Sequence, residues 1–353
     1  MKIIHTADLH LGSPIDSKLQ SLSSERKAEI RNSFSRLCQY ARNNAIQIIL
    51  LSGDIFDSDH PFKKDKKYFY DIIKANSDIS FYYLRGNHDL DRDSQNKPAN
   101  LYLFEYSWTS YELEDNIVLS GIERTKKNNT SFYDTRKLNP DKTNVVLLHG
   151  ALSDSLGQDR ICLKKLKEKN IDYLALGHIH SYQGGKIDDR GIYCYPGCLQ
   201  GRGFDEIGEK GFVLLDIKDK KVSSSFVPFS KRVIREETVD ISHLTSIYEI
   251  ISQIKKQVSF KSEDIYRIIL TGDIPIDNDF NELDISKELG DICRFINIKN
   301  RTNFDIDYQS LGKQFSLKGE FVRNVREDTS LTEEDKKEII TLGVRALERK
   351  ELD

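Results

Sequence analysis

The chain has 353 residues, 38% of them hydrophobic, with only 7 prolines, 20 glycines and a formal net charge of −3. These values exclude a disordered or fibrous chain and leave room for one large α/β domain plus a smaller one; they also exclude a global basic field of the kind that advertises a nucleic-acid partner. The longest apolar runs are strand-sized, below the ~18 residues of a membrane span, and "MKIIHTADLH" begins directly as a strand, so a cytoplasmic, unprocessed chain with no membrane association is expected.

Up to about Phe229, strand and helix alternate. "KIIHTAD" reads as a strand, and Ile30, Phe34, Leu37 and Ala41 recur at helical spacing. "IQIILLSGD" follows, then a Lys-rich helix from Asp65, whose "KKDKK" reads as a solvated face or a phosphate- or partner-contacting one, then "ISFYYLRGNHD". This rhythm argues for layered α/β structure with the helices outside. The denser series "NIVLSGIE", "NVVLLHG", "IDYLALGHIH", "GIYCYPG", "KGFVLLDI" and "VSSSFVPF" requires a second sheet packed on the first. From about Lys231, "LTSIYEIISQIKK", "IYRIILTGD" and "RFINIKNRT" suggest a small α+β domain, giving domains 1–230 and 231–353. The tail from Leu331 places Ile340, Val344 and Leu347 on one helix face, for terminal packing or for a partner. Cys38, Cys162, Cys194, Cys198 and Cys293 form no C-x-x-C pair and read as free thiols rather than a disulfide or zinc framework.

Five apolar runs end in side chains able to bind metal. "KIIHTADLH" supplies Asp8 and His10, "ILLSGD" Asp54, "YYLRGNH" Asn87 and His88, "VVLLHG" His149, and "YLALGHIH" His178 and His180. The carboxyl ends of strands in α/β sheets line the ligand crevice, so these residues are expected to converge. Asp8 and His10, like His178 and His180, are one residue apart; in extended backbone each pair projects to one side and can serve one cluster. Adjacent Asn87 and His88 diverge, so one can bind metal while the other faces substrate. Seven ligands of mixed carboxylate, imidazole and amide type suit two Mn²⁺, Fe or Zn²⁺ ions better than Mg²⁺ or Ca²⁺. His5 is expected to be structural, His60 a loop residue and His243 a surface residue.

The ordered blocks "DLH", "GDIFD", "GNHD", "HG" and "GHIH" resemble the calcineurin-like metallophosphoesterase superfamily. Within it, "HTADLHLG", "LSGDIFD" followed by a proline, and "YPGCLQGRGFDEIGEKGFVLLDI" look like the SbcD group of DNA repair exonuclease subunits, in its bacterial YhaO-type branch. "LKGEFVRNV" and "LGVRALE" look like that branch's cap and tail.

The resemblance implies a four-layered α/β/β/α sandwich with a small C-terminal α+β cap domain and a dinuclear site. Asp8, His10, Asp54 and His180 would hold one divalent ion, and Asp54, Asn87, His149 and His178 the other, with Mn²⁺ the implied metal. His88 would face substrate, with Asp57 beside it as the carboxylate that orients and charges an imidazole. Gln200 and Arg202 would touch the phosphate backbone or the rim of the metal site, or else hold their loop. The implied activity is two-metal hydrolysis of DNA phosphodiesters, by exonuclease or endonuclease action, in a homodimer partnered by an SMC-like coiled-coil ATPase. A small-molecule phosphodiesterase or phosphatase is the alternative enzyme, and a binding scaffold the alternative of another class.

Overall fold

The structure, a computed structural model, describes residues 1–58, 61–89, 96–125, 128, 130–134, 138–157, 159–275, 280–305 and 308–347. It comprises two compact units, Met1–Ile234 and Arg235–Asp353. His60 lies outside the described residues.

The first unit begins β1 (Lys2–Thr6), α1 (Ser23–Asn43), β2 (Ile48–Ser52), α2 (Lys63–Ala75), β3 (Ser80–Leu84) and β4 (Leu101–Leu103). It continues β5 (Thr109–Glu112), β6 (Ile117–Gly121), β7 (Thr143–His149), a small ladder of β8 (Ala151–Leu152) and β9 (Arg160–Ile161), then β10 (Tyr173–Gly177), β11 (Gln183–Lys186), β12 (Ile192–Tyr195), β13 (Gly211–Lys218) and β14 (Lys221–Pro228). One six-stranded sheet has the order β14-β13-β1-β2-β3-β4, and the other β11-β12-β10-β7-β6-β5. Strands β1 to β4 run parallel, as do β6, β7, β10 and β12. The runs "KGFVLLDI" and "VSSSFVPF" return to the first sheet, β13 pairing antiparallel with β1 through Ile4 opposite Leu214.

Alternation along the strands builds the layers. Ile3, Leu50, Leu84, Leu119, Val145, Leu147, Ala175 and Val213 meet between the sheets, while Ile4, Ile49, Leu51 and Phe81 point the other way, onto Phe34, Leu37 and Ala41 of α1 and Phe69 and Ile73 of α2. Each such burial contributes about 1.5–3 kcal/mol, so the two layers of packing dominate this unit's stability. The outer face of the second sheet is covered by the 3-10 turns Ser131–Tyr133 and Leu163–Leu166, with Phe132, Tyr133 and Leu166 packed on Val146, Leu148 and Leu174. The unit is thus the four-layered sandwich, its fourth layer reduced to 3-10 turns among the described residues.

Buried charge adds to this scaffold. Arg26 on α1 pairs with Glu29 and donates to the Gly201 carbonyl, and Arg232 Nε donates to Glu29 Oε1 at 2.6 Å. The "KKDKK" segment opens α2 with Lys63 and Lys64 exposed, but Asp65 is buried and pairs with Arg31 at 2.9 Å. His5 is fully buried between the sheets, its ring nitrogens 2.8 Å from the Tyr173 hydroxyl and 3.0 Å from Ser52 Oγ. His243 is exposed. All five cysteines are free and buried.

The second unit has a three-stranded sheet, β15 (Ile234–Asp240), β16 (Ile265–Thr271) and β18 (Phe295–Asn300), and a two-stranded one, β17 (Asp273–Pro275) with β19 (Asn303–Asp305). Helix α3 (Ile247–Gln257) starts with a capping box between Ser246 and Glu249 and buries Ile250 and Ile254 against this sheet. Among the described residues the unit also holds helices α4 (Glu282–Glu288), α5 (Tyr308–Lys313), α6 (Leu317–Glu327) and α7 (Glu333–Leu347). Ile340 and Val344 of α7 pack on Val322 of α6, whereas Leu347 is exposed.

Candidate metal centre

The carboxyl ends of β1, β2 and β3 in one sheet and of β7 and β10 in the other deliver every proposed ligand to one place. The sheets approach closely there. A Cβ at Gly177 would stand 1.8 Å from the Ser52 carbonyl oxygen and 2.9 Å from His149 Nδ1, so only glycine fits at that point.

Two clusters form: Asp8, His10 and His180 in one, Asp54, His149 and His178 in the other. Asn87 Oδ1 joins the second, 3.0 Å from His149 Nε2 and 3.2 Å from His178 Nδ1. Asp54 Oδ2 lies 3.2 Å from His149 Nε2, and Asp54 Oδ1 accepts from the His88 N–H at 3.0 Å. The Asp8 carboxylate accepts the His178 N–H at 3.0 and 3.1 Å, which joins the clusters through the main chain.

The backbone corrects one expectation. Whereas His149 is the last residue of β7, Asp8, His10, Asp54 and His178 lie beyond the regular strands in left-handed turns, with φ of 52°, 46°, 49° and 107°. Extended-strand alternation therefore does not govern them. His178 and His180 serve different clusters. Such conformations cost of order 1–3 kcal/mol each and persist where the surroundings impose them, which is characteristic of functional sites.

Three imidazoles are oriented through Nδ1. His149 Nδ1 donates to the Ser52 carbonyl at 2.8 Å, His10 Nδ1 lies 2.9 Å from Asp57 Oδ1, and His180 Nδ1 lies 2.7 Å from Glu206 Oε1. Their Nε2 atoms turn inward, and those of His10 and His180 face one another at 3.1 Å. Inward nitrogens with anchored outer nitrogens are the arrangement of metal-binding histidines. This donor set fits two divalent ions.

The electrostatics agree. Burial pushes Asp8 up to about 6, with His149 pulling the other way. Burial opposes the charged form of Asp54 too, but His149 and the His88 N–H outweigh it and hold that carboxyl below its ordinary range. Burial also opposes protonation of His149, yet Asp54 and then Asp8 push it up to about 9. Burial and His149 together lower His178. The crowding of carboxylates and imidazoles in a buried space is relieved by cations.

Other expected residues fall differently. Asp57 does meet an imidazole, but it is that of His10; His88 stands with its ring 5.7 Å from that of His10, half-buried. Gln200 is buried, its amide nitrogen donating to the Arg232 carbonyl at 3.0 Å and its oxygen accepting from the Lys231 N–H at 2.8 Å, so it is a structural residue and not a substrate contact. Arg202 is also turned inward, to Glu206, Asp57 and Ser13. Two residues were missed. Asp89 accepts from the Ile55, Phe56 and Gly86 N–H groups at 3.1, 2.9 and 3.1 Å, fastening the exit turns of β2 and β3 together. Glu206 is buried and orients His180. Both stand inside recognisable motif blocks, "GNHD" and "GRGFDE", but their partners are main-chain groups and loops distant in sequence.

Comparison with known proteins agrees with this geometry. The model of the calcineurin-like phosphoesterase family matches residues 1–182, and the chain belongs to that family. It is a metallophosphoesterase with a site built for two metal ions, a hydrolase of phosphoesters. The chain is 26% identical over 303 residues to the uncharacterized metallophosphoesterase YhaO of Bacillus subtilis (strain 168), covering 78% of this chain and 72% of the relative. It is 23% identical over 300 residues to the DNA double-strand break repair protein Mre11 of Sulfolobus acidocaldarius, covering 79% and 77%. Among solved structures, a dimetal phosphatase from Danio rerio is similar with a TM-score of 0.41 and 10% identity, over 64% of this chain and 98% of that one. No helix among the described residues is long and apolar enough to cross a membrane.

Proposed function

We propose that this metallophosphoesterase hydrolyses phosphodiester bonds of DNA, as the SbcD-like nuclease subunit of a DNA repair assembly. The observation that carries this reading is the extent of the likeness to the archaeal Mre11: 79% of the chain, well beyond the residues 1–182 that define the phosphoesterase family. A likeness confined to the catalytic core would speak for phosphoester chemistry alone.

Asp8, His10, Asp54 and His180 would hold one ion, and Asp54, Asn87, His149 and His178 the other, with Mn²⁺ favoured by the mixed nitrogen and oxygen donors. Bound there, the two ions supply the positive charge that polarises the phosphoryl group and acidifies the attacking water. Asp8 and Asp54 cancel only part of that charge, so an anionic diester is attracted. The half-buried His88, attached to the turn that holds Asn87, donates a proton toward the leaving oxygen. Asp57 acts through His10, whose ring it orients.

The same reading includes a cytoplasmic homodimer working with an SMC-like coiled-coil ATPase. Five free cysteines are compatible with a reducing compartment. In the second unit, Phe315, just before α6, and Leu317, its first residue, are strongly exposed and offer apolar anchors to a partner. Copurification with a coexpressed ATPase of this type tests the assembly.

The direct test uses Mn²⁺ and end-labelled single- and double-stranded DNA, with a nucleoside monophosphate and an aryl diester in parallel. Metal-dependent DNA degradation that is lost in Asp54→Ala is the expected result. Turnover of the small esters alone would transfer the function to a small-molecule phosphodiesterase or phosphatase.

A further inference from the structure

We propose that Arg202 is a positioning residue that holds open one of the two ion positions, the one made by Asp8, His10 and His180, without touching substrate. The inference rests on the two-ion reading above.

Each imidazole in that cluster is turned by a carboxylate: His10 by Asp57 at 2.9 Å and His180 by Glu206 at 2.7 Å. The two carboxylates come from different loops, after β2 and after β12. Arg202 connects them. Its Nη1 donates to Asp57 Oδ1 at 2.8 Å and to Ser13 Oγ at 3.1 Å, while Nε and Nη2 donate to Glu206 Oε1 at 2.9 and 2.6 Å. The Arg202 main-chain N–H adds a bond to Glu206 Oε2 at 2.7 Å, and Nη2 lies 3.1 Å from His180 Nδ1. A planar guanidinium fixed at this many points sets the distance between the two carboxylates, and through them the 3.1 Å separation of the facing Nε2 atoms.

The mount is itself rigid. Gly201, next to Arg202, accepts from the buried Arg26, and Gln200 is bound on both sides of its amide to the main chain at Lys231 and Arg232. The second cluster is held by other means. His149 is oriented by the Ser52 carbonyl, and His149 and His178 both meet Asn87; none of these contacts passes through Arg202. One ion position therefore depends on a side-chain clamp and the other on the β2 backbone. Removing the clamp should release one ion and keep the other.

The test measures Mn²⁺ binding by calorimetry and electron paramagnetic resonance for the full-length wild type, Arg202→Met and Arg202→Lys, with melting temperatures in EDTA. The wild type should take two ions with an exchange-coupled spectrum; if it does not, the two-ion reading fails rather than this inference. Arg202→Met should bind one ion with wild-type affinity and the other about 10–100-fold more weakly, with an uncoupled spectrum. Arg202→Lys, which keeps the charge but not the fork, should recover part of that loss. Two wild-type affinities in both variants, or loss of both ions from a folded Arg202→Met, overturns the proposal. Should Arg202→Met not fold, Arg202→Lys decides: selective weakening of one ion supports the clamp, and two wild-type affinities overturn it.

Discussion

His149 Nδ1 donates to the Ser52 main-chain carbonyl across the sandwich at 2.8 Å, and this one bond turns Nε2 toward Asp54 and Asn87. A ligand from the second sheet is thereby aimed by the backbone of the first.

In the ion-free protein this geometry makes His149 basic. Its imidazole, pushed up to about 9 by Asp54 against the effect of burial, carries a proton at pH 7 that an ion must displace. The affinity for that ion should rise by up to about tenfold per pH unit from pH 6 toward 9. Calorimetry in buffers of different ionisation enthalpy should register about one released proton for this site at pH 7. Binding without proton release would contradict the assignment.

His88 tests the division between binding metal and performing chemistry. His88→Ala should retain both ions and lose about 10²–10⁴-fold in turnover, the usual contribution of a positioned acid. Metal analysis of the purified variant separates the outcomes, since loss of both ions would make His88 part of the scaffold of the centre.

Gly86 tests the close approach of the turn after β3. A Cβ there would stand 2.1 Å from Asp54 Oδ1, which would have to turn away, and 2.5 Å from the Asp54 main-chain nitrogen, which no side-chain rotation can relieve. Gly86→Ala should destabilise the fold by about 1–3 kcal/mol and displace Asp54 from its cluster. Denaturant unfolding together with Mn²⁺ titration reads both effects; unchanged values would show that the turn can relax.

His5 gives a pH signature independent of activity. Burial lowers its imidazole from the ordinary 6.5 to about 3, so below pH 6.5 the unfolded chain takes up a proton that the folded chain refuses. The stability associated with this group is fully present above pH 6.5 and declines as pH falls toward 3, by about 1.4 kcal/mol per unit. Unfolding in EDTA at pH 7 and pH 5 should show a shallower decline for His5→Gln than for the wild type. Equal slopes would mean that His5 does not cause the decline.

The layers and the convergence of the candidate ligands are legible in the sequence for one physical reason: apolar strand runs ending in Asp, Asn and His constrain both the sheet and what collects at its edge. The routes by which side chains reach the metal centre are not. Strand alternation placed His178 and His180 in one cluster, whereas left-handed turns at Asp8, His10, Asp54 and His178 redirect the ligands after the strands have ended. Asp57 was matched to a nearby imidazole in kind but not in identity, because a loop carboxylate selects its partner through tertiary packing. Asp89, Glu206 and the inward turn of Arg202 depend on contacts between loops as far as 189 residues apart, for which no local pattern exists. The return of β13 and β14 to the first sheet is likewise a matter of register rather than composition.

The proposed chemistry requires two ions in this centre that share Asp54. Crystals grown with Mn²⁺ and measured at the manganese absorption edge test it most directly. Two anomalous peaks about 3.5–4 Å apart, one among Asp8, His10 and His180 and the other among Asn87, His149 and His178, with Asp54 between them, are the predicted result. A single peak, or manganese bound away from these residues, would contradict a two-ion centre.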